Sequence, residues 1–146
     1  MKTMLVAVDG SPREAGVLSA AIDLAKKTGA KILLFRAVGV PKDVPVEAYT
    51  LGPDELARLV ERNASEELKK LLMQVPADIA LGTRVLFGSP WSAIEQAARE
   101  ANVDLIVIGA HGYGKLDKML GTTASKVVNN ADRPVLVLRE PAHITA

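Results

Sequence analysis

No cysteine occurs in the 146 residues, and histidine occurs only twice. A disulfide scaffold, a thiolate nucleophile and a cysteine-ligated metal are therefore excluded, and the composition fits a reducing cytosol. With so few histidines, no Ser-His-Asp order and no metal-ligand spacing rises above chance. Aromatic residues are scarce too, at one Trp, two Tyr and two Phe, which argues against a platform for stacking nucleic-acid bases. The formal net charge of +1 leaves no broad basic field for a polynucleotide. Long apolar runs are missing as well. The run Met4 to Val8 stops at Asp9, too short for the core of a signal peptide and far too short to span a bilayer. A cytoplasmic protein without membrane attachment is the expectation.

What is present is a regular alternation. Hydrophobic residues make up 49% of the chain, enough for one well-filled core in a single domain. Thr3 to Val8 is a short apolar run suited to a strand buried on both faces. Asp9-Gly10 marks a turn, after which Ser11 can cap, Pro12 suits the first helical position and Glu14 completes a capping box. Helical spacing continues through Val17, Leu18, Ala21, Ile22, Leu24 and Ala25 to a stop at Gly29. A second strand spans Lys31 to Val38. Three prolines and two glycines between Gly39 and Pro53 read as an irregular excursion and a candidate lid. From Asp54, apolar residues through Leu72 mark a second helix. A third strand spans Ile79 to Phe87, and Ser89-Pro90 opens a third helix. The fourth strand is Val103 to Ile108, the fourth helix Thr123 to Ala131, and the fifth strand Pro134 to Leu138. Helical crossovers require parallel pairing, so the expected fold is an open five-stranded α/β sheet with helices on both faces. Residues 1–139 form one domain in this reading, with 140–146 as a C-terminal tail.

Open parallel sheets take ligands beyond the carboxyl ends of their strands, where the winding reverses. The first strand ends at Val8-Asp9-Gly10 and the fourth at Ile108-Gly109. Gly109 and Gly112 let backbone approach a ligand without a Cβ between. Gly121-Thr122-Thr123 then opens a helix whose first amides lack partners, an arrangement that favours an anion. The bland alternative is that the glycines only turn the chain and that Thr122 or Thr123 only caps the helix. The spacing matches neither the dinucleotide fingerprint nor a P-loop.

The stretches AVDGS, KILLFRAV, DLIVIGAHG and RPVLVLR, spread from Met4 to Arg139, resemble the universal stress protein family. The resemblance implies the adenine nucleotide alpha hydrolase-like fold, strand order 3-2-1-4-5, a homodimer and, in one branch, an ATP-binding motif G-2x-G-9x-G-(S/T). Carried onto this chain, it places Gly109 near the ribose and gives Gly112, Gly121 and Thr122 to the phosphates. Ala7, Val8 and Asp9 would line the nucleoside end, and backbone groups of Ala37 and Val38 would face adenine. One departure stands out: eight residues, Tyr113 to Leu120, separate Gly112 from Gly121 instead of nine. The implied ligand is ATP, with AMP or ADP as alternatives and Mg as a companion ion.

Other residues leave more than one reading. His111 is a phosphate contact, a proton-transfer group or a structural residue of the turn. Arg36 approaches the nucleotide or the dimer interface, and Trp91 packs in the core or an interface. Lys115 and Lys118 are within reach of a triphosphate in one reading and a solvated face in the simpler one, and the Glu66-Glu67/Lys69-Lys70 cluster reads most simply as a solvated helix face. In the family's strand order the apolar fifth strand, Val135 to Leu138, lies at an edge that invites a second copy across a two-fold axis. The resulting expectation is a dimeric regulatory protein with at most slow ATP hydrolysis. The alternative is an interaction module of the same fold without ATP. An adenylate-forming or pyrophosphatase enzyme is disfavoured, because Asp9-Gly10-Ser11-Pro12 does not match the SGG-type loop of those families.

Overall fold

A computed structural model describes residues 1–39, 52–110 and 120–139. The greater part of the Gly39 to Pro53 excursion, His111, Gly112, nearly all of the Tyr113 to Leu120 connector and the C-terminal tail lie outside the described residues. The elements alternate along the chain as β1 (Thr3–Ala7), α1 (Glu14–Thr28), β2 (Lys31–Val38), α2 (Pro53–Leu72), β3 (Ala80–Phe87), α3 (Pro90–Glu100), β4 (Leu105–Gly109), α4 (Thr122–Asn130) and β5 (Val135–Leu138). All four strand pairings are parallel, and the spatial order is β3-β2-β1-β4-β5. Both the fold class and the strand order expected above are therefore found.

Alternation along each strand divides the core in two. Met4, Val6, Val8, Ile32, Leu34, Leu105 and Val107 face α1 and α2, packing with Val17, Leu18, Ala21, Ala25 and Leu68. Leu5, Leu33, Phe35, Ile106 and Ile108 face α3 and α4, packing with Ala93, Ile94, Ala97, Ala98, Ala124 and Val127. A period of two in the strands and a sheet covered on both sides require this near-continuous apolar sequence. Among the described residues, no polar or charged residue is fully buried.

Two helix starts differ from expectation in an informative way. Helix α1 begins at Glu14 rather than Pro12, with Arg13 as its N-cap and no side-chain cap. Ser11 Oγ instead accepts the Arg13 N–H at 3.3 Å, and Asp9 Oδ1 accepts the Ser11 N–H at 2.9 Å. The capping box does not form, because the Glu14 carboxylate is drawn to Arg36. At α3, Ser89 holds the N-cap and Pro90 the first helical position, yet the serine hydroxyl makes no capping bond. The stop at Gly29 is as expected. Its φ of 77° is left-handed, and its N–H donates to the Ala25 carbonyl.

The amino edge of the sheet is fastened by two side chains. Asp104 Oδ2 accepts the N–H groups of Lys2 (2.8 Å) and Thr3 (3.0 Å), tying the start of β4 to the start of β1. These backbone donors hold the Asp104 carboxyl below its usual range. Arg133, just before β5, donates through Nη1 to the carbonyls of Ala98 (2.7 Å) and Val103 (2.9 Å). It thereby caps the end of α3 and holds the approach to β4. No helix among the described residues is long and apolar enough to cross a membrane.

Two stability tests follow from these contacts. Arg133→Met keeps the aliphatic stem but leaves two carbonyls without their charged donor, and should lower unfolding free energy by about 2 kcal/mol in urea titrations. For Asp104 the folded-state pKa lies below the unfolded value of 3.8. Its contribution is therefore complete above the unfolded pKa and is lost as pH falls through the folded one. Asp104→Asn should lower the urea midpoint at about pH 7 and shrink the gap from wild type at about pH 3.

Candidate functional site

Strand β1 pairs with β2 on one side and β4 on the other, so the winding reverses at β1. Helices α1 and α2 cover one face and α3 and α4 the other. The carboxyl ends of β1 and β4 thus open onto a crevice, the usual ligand position in such sheets. Ala7, Val8 and Asp9 lie at the end of β1, Ala37 and Val38 at the end of β2, and Gly109 at the end of β4. Gly121, Thr122 and Thr123 sit at the start of α4. The topology gathers all nine on this one edge of the sheet.

Gly121 is the N-cap of α4, in extended conformation and with no side-chain cap on the helix. Its own N–H donates to the Ala110 carbonyl at 2.8 Å, and the Ala110 N–H donates to Leu138 at 2.8 Å. Fully buried Ala110 therefore links the start of α4 to the end of β5. The Gly121 carbonyl accepts from Ser125, so the amides of Thr122, Thr123 and Ala124 have no acceptor within the helix. Together with the helix dipole they form an anion-accepting terminus. Thr122 is exposed and Thr123 half-buried.

Gly109 has a further reason to lack a side chain. A Cβ there would lie 3.2 Å from Cγ2 of Val17 on α1, tighter than ordinary packing. Helix α1 can approach the end of β4 because that position is bare.

A charged cluster adjoins the β1 turn. Arg36, facing α1 and α2, pairs through Nη2 with Glu14 at 3.2 Å and through Nη1 with Glu67 on α2. Burial raises the Glu14 carboxyl above its usual value, against the lowering effect of Arg36, and the charges of Asp9 and Glu67 add to the rise. The arrangement is an internal link between α1, β2 and α2, which neither reading of Arg36 given above includes. Nothing local in the sequence signals it, since Glu14 and Glu67 lie 22 and 31 residues away. Trp91 lies half-buried beside the core packed against α3 and α4, with Lys126 Nζ 5.6 Å from its ring centroid. Among the described residues, no group of three His, Asp or Glu side chains is arranged to hold a metal ion.

Known proteins resemble this chain in sequence and, among solved structures, in fold. A universal stress protein of Thermus aquaticus is 36% identical over 143 residues, covering 94% of this chain and 98% of its own. One from Methanocaldococcus jannaschii is 32% identical, covering 96% of this chain and 83% of its own. Among solved structures, universal stress protein UspA from Lactobacillus plantarum superposes with a TM-score of 0.74 at 24% identity, covering 94% of this chain and 97% of its own. A universal stress protein in complex with cAMP (TM-score 0.59, 21% identity, covering 95% and 97% of the two chains) also shares the fold. So does one from Archaeoglobus fulgidus in complex with dAMP (TM-score 0.57, 22% identity, covering 94% and 97%). The model of the Universal stress protein family matches residues 1–139. With β1 at the point of reversal and close relatives matched along nearly their whole length, the chain belongs to the universal stress protein family.

Proposed function

We propose that this chain is a cytoplasmic, nucleotide-binding regulatory protein that takes an adenine nucleotide in the crevice between β1 and β4. ATP is the leading ligand, and AMP or ADP are alternatives. The observation that carries the reading is the start of α4, an uncapped helix N-terminus with three amides free of intrahelical acceptors, placed beside the point where the sheet reverses. The cAMP and dAMP complexes of two structural neighbours support an adenine nucleotide as the ligand class.

In this reading the phosphates lie against Thr122, Thr123 and Gly121, with Gly112 and His111 from the adjoining loop. Ala7, Val8 and Asp9 line the nucleoside, Gly109 lies near the ribose, and backbone groups of Ala37 and Val38 meet adenine. A magnesium ion would be carried on the phosphate oxygens of ATP.

Isothermal titration calorimetry with ATP and magnesium, ADP and AMP tests the site. Binding should be detectable below millimolar concentration, and Gly121→Asp should weaken it at least tenfold. Aspartate is a better N-cap than glycine, so the same substitution should raise fold stability by a few tenths of a kcal/mol, roughly. Loss of binding would thereby be separated from loss of fold. No heat at millimolar ATP would favour the nucleotide-free interaction module.

The same reading includes a homodimer. Strand β5 is an edge of the sheet, short, apolar and only half-buried, which suits pairing with its own copy. Sedimentation over a concentration series should show a monomer–dimer equilibrium; a chain that stays monomeric throughout overturns this part.

A further inference from the structure

The Arg36 cluster is costly for an element of stability alone. Its guanidinium is mostly withdrawn from water, with 12% side-chain exposure. Its Nε is buried without a hydrogen-bond partner among the described residues. Desolvating a charge and leaving a donor unpaired both work against folding. A locally unfavourable arrangement of this kind is most often kept where function needs the geometry.

The geometry joins the cluster to the nucleotide edge. Gly10 has a left-handed φ of 78°, and a Cβ there would lie 3.4 Å from Arg36 Nη2. The guanidinium thus lies on the side of Gly10 toward which a side chain would project, next to the turn that carries Asp9. Beyond the turn, the Ser11 carbonyl accepts the Glu14 N–H at 3.1 Å, and Glu14 holds Arg36. The other end of the fork reaches Glu67 on α2.

We propose that Arg36 is a positioning residue for the nucleotide site, setting the Asp9-Gly10 turn by packing against Gly10 and anchoring Glu14 at the start of α1. The inference rests on the nucleotide reading given above and assigns Arg36 no contact with the ligand. The groups facing Glu14 are Arg36 from β2, Asp9 from the turn and Glu67 from α2. Protonation of Glu14 would remove one of the two carboxylates that hold the fork. Because burial raises the Glu14 pKa, protonation as pH falls does not destabilise the fold as a whole; what it changes is the local hold on the fork and on the turn beside it.

The test is AMP affinity by calorimetry, with urea unfolding and the Gly10 amide resonance followed on the same proteins. Arg36→Gln should weaken AMP binding about tenfold, and Arg36→Lys, which keeps the charge if not the fork, should recover part of the loss. Arg84→Gln, which breaks the separate Arg84–Glu100 pair, should bind like wild type. In the wild-type chain the Gly10 amide should shift with Glu14 ionisation, and Glu14→Gln should abolish that transition. If Arg36→Gln is too unstable to assay, Arg36→Lys and Glu14→Gln decide the matter by the same two readouts. Wild-type affinity in these variants, or a Gly10 resonance indifferent to Glu14, overturns the role of Arg36 while leaving the nucleotide site standing. A wild-type chain that binds no adenine nucleotide overturns both.

Discussion

Everything at the candidate site depends on β1 being hydrogen-bonded to β2 on one flank and to β4 on the other. A parallel sheet needs a crossover between successive strands, and right-handed crossovers force the chain to change face when the winding reverses. Here α1 leaves β1 toward one face, while α4 follows β4 on the other. The two exits diverge, so no single helix passes directly over both strand ends. The position where a ligand is expected is thus a consequence of strand order. What the residues decide is how closely backbone can approach a ligand and which charge is welcome there.

The two edges of the sheet are held by different means. At the amino edge, Asp104 and Arg133 satisfy backbone donors and acceptors that would otherwise be exposed at strand and helix ends. Each charge there meets a complementary main-chain partner. The carboxyl edge has instead the Arg36 fork, with one donor unmatched among the described residues and Glu14 raised by its burial. Fastening at one edge and unresolved electrostatics at the other is the division expected of a scaffold that carries a site.

Much of this was legible in the sequence. Uninterrupted apolar runs such as Val6 to Val8 and Leu105 to Ile108 signal strands covered on both faces, and alternation with helical spacing implies a parallel sheet. Strand order was not contained in that periodicity; it came from resemblance, since hydrophobic pattern says which face is buried and not which strand is adjacent. The grouping of Asp9, Gly109 and Gly121 followed once the order was known. The capping box at Ser11 and Glu14 failed because a local motif competed with a charge 22 residues away. The link from Arg36 to Glu67 and the pressure of Val17 on Gly109 were illegible for the same reason. Both are tertiary contacts between residues whose neighbours in sequence give no sign of them.

Ala110 changes how the shorter glycine spacing should be weighed. A motif counts residues between glycines, but a phosphate responds to where amides stand. The start of α4 is set by the bond from Gly121 to the Ala110 carbonyl, and Ala110 is itself set by its bond to Leu138 on β5. Ala110 directly follows β4 and Leu138 ends β5, so both anchors lie outside the connector. One residue fewer between Gly112 and Gly121 therefore leaves the amides of Thr122, Thr123 and Ala124 where strand geometry puts them. The attraction of this helix terminus for an anion therefore does not depend on how many residues separate the two glycines.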